Sequence, residues 1–250
     1  CVARSGALDL PVLLWPLGGS VLFGGFGLVV GILAVTLCAA RPLPLPARFV
    51  ATGLVSLVGT ILLGASFTLV LSGSSENALL ARLVADGVEL HAVLGLGGWL
   101  SVTAAGVSYR LLAMFLLAPE VERRISRAVW WLASVAIGLI AACVPLVLFA
   151  LAGADLLLAA ALLLTLVAAL LYGRDVLGIY RARKRKQAEL NIRAAFPAFV
   201  ALAIATALVN VPAIRTGEAV MALSYLFVFG WLTGLGLAQL YKIVAFLTWL

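Results

Sequence analysis

The sequence predicts an all-α fold, a polytopic bundle of transmembrane helices that forms one membrane domain over residues 1–250. Of the 250 residues, 65% are hydrophobic and 11% are charged, whereas soluble domains average about 45–50% and about 25%. The mean hydropathy is +1.22. The apolar residues form runs that reach the roughly 20 residues a spanning helix needs, and they do not alternate as in an outer-membrane barrel. These observations exclude a soluble domain and a disordered chain.

Seven apolar runs predict seven spans. The stretch RPLPLPAR (41–48) separates the first two, because proline removes a backbone donor and interrupts a helix. Polar or charged stretches separate the others, and GSSENALLARLVADG (73–87) includes a short amphipathic piece. The spans are expected at residues 12–39, 49–72, 88–112, 128–151, 155–178, 195–213 and 219–245.

The basic residues predict the orientation. Fourteen of the 17 lysines and arginines lie at the ends of odd-numbered spans, and only Arg4, Arg82 and Arg215 lie on the other side. Basic loops stay in the cytoplasm, so we expect the basic loop 181–193 to be cytoplasmic and the N-terminus to lie outside, in a multi-pass protein of the bacterial inner membrane. The net charge of +7 is then explained by the basic loop residues that set the orientation in the membrane. We expect lipids and other membrane subunits as partners, and no nucleic acid.

Two segments repeat at a spacing of 132 residues. GWLSVTAAGVSYRLLAMF (98–115) aligns without gaps with GWLTGLGLAQLYKIVAFL (230–247). Because span 3 matches span 7, the unit is four spans and the repeat is parallel, with halves at about 12–117 and 128–249. Span 4 then has no partner. An eighth helix before Cys1 is the simplest completion, and a native seven-span protein is the alternative.

His91 is the single histidine and the candidate metal ligand. It lies near the outer end of span 3, with Gly95 and Gly98 below it on the same helix face. Such a face suits either the flat ring of a b-type haem or close helix packing, and a lone histidine more often packs than ligates. Glu89 and Asp86 are near enough in sequence to hydrogen-bond it. Met221 is a candidate second axial ligand, although it falls on the opposite face of span 7 from Gly230.

Arg110 and Lys242 occupy matching positions of the repeat near the inner headgroups. Each is either a snorkelling anchor or a contact to a phosphate, a cofactor carboxylate or a quinone headgroup. No carboxylate lies at mid-depth in any predicted span, and Asp175 falls at the cytoplasmic end of span 5. Because intramembrane ionisable residues mark coupled transport pathways, this pattern argues against a secondary transporter.

Segment 91–117 resembles a bacterial membrane family related to haem–copper oxidase subunit I, the subunit of cytochrome c and quinol oxidases. Members look like H-x-H-x-G-x-x-GW followed by GVSY-basic-LLPMF, with a later GW segment ending in HLYKIVPFL. The resemblance implies a helical electron-transfer subunit whose first histidine matches His91. This chain departs from the pattern at Val93, Gln239, Ala113 and Ala245, where the family has two histidines and two prolines. The losses imply a degenerate member that cannot reduce oxygen alone.

We therefore expect a membrane subunit of a respiratory or photosynthetic electron-transfer complex, with haem b, quinone or no cofactor. It is not expected to be catalytic by itself. A non-catalytic scaffolding subunit is the alternative, and a transporter is a weaker one.

Overall fold

The computed structural model describes residues 10–119, 122–185, 187, 189–215 and 217–248. Within them, seven helices are long and apolar enough to cross a membrane, which confirms the predicted helical bundle. They are span 1 (Leu10–Ala39), span 2 (Leu45–Leu71), span 3 (Val88–Leu116), span 4 (Arg124–Leu148), span 5 (Ala154–Arg181), span 6 (Leu190–Leu208) and span 7 (Glu218–Ala245).

The prolines of residues 41–48 separate spans 1 and 2, and two of them also form the start of span 2. Span 2 begins at Leu45, four residues before the predicted start, with Pro44 as its N-cap and Pro46 in its first turn. A first-turn proline loses no hydrogen bond, since that N–H has no partner inside the helix. Span 6 similarly begins at Leu190 rather than at 195 and contains Pro197.

A short helix, Ala78–Asp86, forms within the polar connection between spans 2 and 3. Asn77 caps it, because its Oδ1 accepts hydrogen bonds from the amides of Leu79 and Leu80. Leu83 is buried against the bundle, so this connection is anchored on the apolar core.

Both GW motifs lie in π-helical turns. The wide turns cover Val93–Ser101 in span 3 and Leu226–Thr233 in span 7, and the surrounding residues are α-helical. Trp231 is 1% exposed, and its Nε1 donates a hydrogen bond to Ser101 Oγ at 2.9 Å. The two π-helical turns therefore meet at the crossing of spans 3 and 7. The parallel repeat itself stays a prediction.

The helices surround a common interior. Spans 2 and 3 and spans 4 and 5 form the two most extensive pairs, span 2 also packs on spans 1 and 4, and span 6 packs on spans 5 and 7. Span 1 rests chiefly on span 2 and is largely exposed. The loops 41–48, 119–127 and 181–193 lie at the same end of the bundle, here called the basic end. Arg48 of the first loop lies 3.6 Å from Glu122 of the second. Lys184 of the third donates from its backbone N–H to the Leu116 carbonyl, at the end of span 3, at 3.3 Å.

Candidate functional site

His91 faces span 2. Its ring lies 5.3 Å from the ring of Phe67, centroid to centroid, and its Cε1 is 3.2 Å from where a Cβ on Gly64 would stand. Nδ1 is buried without a hydrogen-bond partner among the described residues. Glu89 does not reach it, because the carboxylate pairs instead with Arg215 at 3.0 Å. His91 is therefore a half-buried ring between two helices.

The small-residue face below His91 is closed by span 2. A Cβ on Gly98 would stand 2.8 Å from Ser56 Cβ, and one on Gly95 would stand 3.3 Å from Thr60 Cγ2. Ser56 Oγ donates to the Leu94 carbonyl at 2.9 Å, which ties the two helices together. The face of Gly95 and Gly98 therefore packs closely against span 2. At Gly95 and Gly98, side chains of span 2 occupy the space that a macrocycle on this face would need, so these residues do not fit a haem on His91.

The remaining predicted site residues lie apart from His91. Met221 is 61% exposed and faces away from the bundle. Lys242 pairs with Glu189 of the basic loop. Arg110 is exposed on span 3. Among the described residues, no three His, Cys, Asp or Glu side chains come together as metal ligands.

Residues of several spans instead line one apolar cavity of about 480 Å³ between the helices. Spans 3, 4, 5, 6 and 7 contribute most of its wall. Along span 3 the lining extends from Val88 to Ala105, a length of about 25 Å at 1.5 Å per residue. Alanine, leucine, isoleucine and valine dominate the wall, with isolated hydroxyls such as Thr165 and Thr206. The length of the cavity is thus close to the thickness of the apolar core of a bilayer, about 30 Å.

An ion pair lies at the end of the cavity opposite the basic end. Arg215, between spans 6 and 7, donates from Nη1 to Glu89 Oε1 at 3.0 Å, and both residues line the cavity. Arg215 Nε is buried and has no hydrogen-bond partner among the described residues. Ser224 also lines the cavity, and its hydroxyl donates to the Val220 carbonyl at 2.8 Å. This end therefore offers the Arg215 Nε donor to a polar group at the cavity mouth.

Tyr172 closes the cavity toward the basic end. Its hydroxyl makes a short hydrogen bond with Ser108 Oγ, and its ring packs edge-on against Tyr109. One turn further along span 5, Asp175 is 2% exposed and lies 3.0 Å from Arg123 Nε. The cavity floor is therefore a polar layer, although Tyr109 Oη and Asp175 Oδ2 have no hydrogen-bond partner among the described residues.

Sequence reasoning missed the cavity and both ion pairs. Asp175 was placed correctly near one end of span 5, but its partner Arg123 comes from a loop 52 residues away. Two buried amides were also missed. Gln239, at the position of a family histidine, and Asn191 are at most 4% exposed, and their amide groups have no hydrogen-bond partner among the described residues. Only the presence of polar residues within apolar runs could have pointed to them.

Comparisons with family models, with curated proteins and with solved structures find no match to this chain.

Proposed function

We propose that the chain is a membrane subunit of a respiratory or photosynthetic electron-transfer complex and that its central cavity binds an isoprenoid quinone. The cavity is the observation that carries this proposal. Ligand sites are mostly apolar and concave, with a few polar groups that fix orientation. Here polar groups lie at the two ends, and the wall between them is apolar apart from isolated hydroxyls such as that of Thr165.

The dimensions favour one extended chain. A volume of about 480 Å³ is spread along about 25 Å of span 3. A space of that length suits an extended hydrocarbon tail better than the compact, flat macrocycle of a haem. The tail would lie along the alanine-rich faces of spans 5 and 6, where Ala169 and Ala205 line the cavity.

The headgroup would lie beside Arg215. A quinone has two carbonyl acceptors, and the buried Nε of Arg215 is a donor without a partner in the described chain. An unpaired buried donor costs about 1–3 kcal/mol, so a carbonyl there would be favourable. Glu89 holds the guanidinium in place through Nη1. A bound quinone would supply electron acceptance or donation to a redox centre in another subunit.

The choice of a quinone among lipid-like ligands rests on the resemblance to haem–copper oxidase subunit I. With Val93 and Gln239 in place of histidines and the face of His91 closed by span 2, the fold of that family would be retained for a ligand other than haem. In the same proposal, the basic end faces the cytoplasm of a bacterium.

A scaffolding role is the second candidate, and the glycines of span 1 favour it. A Cβ added at Gly24, Gly25, Gly27 or Gly31 would meet no atom within 4 Å. Small residues let transmembrane helices approach closely, so this face suits a helix of another subunit. The two roles are compatible, since the glycine face and the cavity lie on different helices.

Quinone retention tests the proposal. The complex is purified in mild detergent, extracted with organic solvent, and assayed for quinone per chain. We expect close to one quinone per chain in the wild type and a loss of most of it in Ala169→Phe, which fills the cavity. Ala159→Phe on the exposed face of the same span should retain it. Equal quinone content in the two variants would contradict the proposal.

A further inference from the structure

A second concave site lies at the basic end, on the outside of the bundle. It is an open groove of about 720 Å³ between the 41–48 loop, span 2 and the start of span 4. Two arginines, Arg41 and Arg48, stand at its top, and Trp130 forms one wall. The central cavity shares none of these residues, so the groove is a separate feature.

The groove is held in shape by directional contacts. Arg48 Nε donates to the Leu43 carbonyl at 3.0 Å, and the Arg48 guanidinium lies 5.9 Å from the centre of the Trp130 ring. Trp130 Nε1 donates to Thr52 Oγ1 at 3.0 Å. The arginine and the indole are therefore fixed before any ligand arrives, which lowers the entropy lost on binding.

The residues that line the groove change from charged at one end to apolar at the other. Below Arg48, span 2 lines it with Ala51, Thr52 and Val55. Val55 is 69% exposed and lies about 10 Å further along the helix axis than Arg48. A ligand seated here would have an anionic group at the arginines and an apolar chain directed into the bilayer.

The charge at the groove is positive but partly compensated. Glu122 lies 3.6 Å from Arg48 and also 3.6 Å from Arg127. Arg41 is exposed. Glu122 is the one carboxylate paired with Arg48 among the described residues, and it would compete with an incoming anion.

We propose that this groove binds an anionic phospholipid, with its phosphate between Arg41 and Arg48 and one acyl chain along Ala51 and Val55. Arginine suits phosphate because its planar donors match the oxygens. Tryptophan is enriched at the depth of the lipid headgroups, where Trp130 would then lie. The site is independent of the proposed quinone cavity.

Native mass spectrometry of the purified protein tests the site by titration with phosphatidylglycerol. The double variant Arg41→Gln/Arg48→Gln should weaken binding by about 25-fold, because each basic residue near an anionic headgroup contributes about fivefold. Arg124→Gln/Arg181→Gln removes two exposed arginines of the same end outside the groove and should change it little. Equal losses in both doubles would overturn the proposal.

Two further measurements distinguish an anionic lipid from a zwitterionic lipid and from free phosphate. Phosphatidylcholine with the same chains should bind far more weakly than phosphatidylglycerol, and inorganic phosphate should not displace the lipid. Equal binding of phosphatidylcholine, or displacement by phosphate, would overturn a site for an anionic lipid. Glu122→Gln should tighten phosphatidylglycerol binding, a gain that misfolding cannot produce, and unchanged or weaker binding would count against the proposal.

Discussion

Gly98 shows how a single missing methyl group fixes the contact between spans 2 and 3. A Cβ at this position would stand 2.8 Å from Ser56 Cβ and closer still to Ser56 Oγ. Ser56 cannot turn away without giving up its hydrogen bond to the Leu94 carbonyl. The adjacent Gly97 is different, because a Cβ there would meet only Val93 Cγ1 at 3.8 Å.

We predict that Gly98→Ala lowers the free energy of unfolding by about 1–3 kcal/mol, the range for overpacked interiors. Gly97→Ala is the matched control and should leave stability unchanged or slightly raised. Unfolding in mixed detergent micelles measures both variants. A similar loss in the two would show that the Ser56 contact does not limit the approach of the helices.

The Arg123–Asp175 pair depends on burial of one partner. Asp175 is 2% exposed, whereas the Arg123 side chain is 32% exposed. Removing only the arginine leaves a buried carboxylate without its counter-charge. This arrangement costs about 3–5 kcal/mol when both partners are fully buried, and less where solvent reaches one of them.

We therefore expect Arg123→Gln to destabilise the protein by about 2 kcal/mol. Adding Asp175→Asn should restore part of the loss, because a neutral amide does not need the guanidinium. A double-mutant cycle followed by thermal unfolding gives the coupling energy. Additive losses would show that the pair contributes no net stabilisation.

At the residue scale, the sequence predicted the small-residue face of span 3 but not what covers it. The spacing of His91, Gly95 and Gly98 places them on one face by helix geometry alone. Whether a ring or a helix fills that face depends on how span 2 is rotated, and local spacing carries no information on that. Long-range pairs such as Glu89–Arg215, separated by 126 positions, are unpredictable for the same reason.

The elements themselves were largely predictable, because a long apolar run has few structural alternatives in a membrane. The predicted start of span 2 moved because prolines can begin a helix, with Pro44 as the N-cap and Pro46 in the first turn. The π-helical turns at Val93–Ser101 and Leu226–Thr233 were not predicted. Such turns shift the backbone hydrogen-bond register by one residue and leave no distinctive pattern of residue types.

The orientation of the helices in the membrane can be predicted from the charges of their loops. The loop 181–193 should face the cytoplasm, because basic residues concentrate at that end of the bundle. In intact cells, an impermeant thiol reagent should fail to label Gln187→Cys, which is exposed in the structure, and should label it after permeabilisation. Cys38 is also an exposed free thiol, so the unsubstituted protein is the background control. Labelling of Gln187→Cys in intact cells would invert the orientation.

The whole molecule is a bundle with a partly open concave space between its spans. Spans 3 to 7 provide most of the lining of this cavity of about 480 Å³, so their side chains do not pack together here as closely as in a typical protein interior. Ala169, Ala205 and the other small lining residues keep this space open. The cavity depends on the relative placement of all five spans, so composition and periodicity could not predict it.

Photoaffinity labelling with a quinone that carries a photoreactive group on its ring tests the central claim most directly. The purified protein is illuminated with the probe and digested, and the modified residues are identified by mass spectrometry. The account predicts labelling at the Glu89, Arg215 and Ser224 end of the cavity, suppressed by excess natural quinone and by Ala169→Phe. Labelling confined to lipid-facing positions such as Met221, or unaffected by competitor, would contradict it.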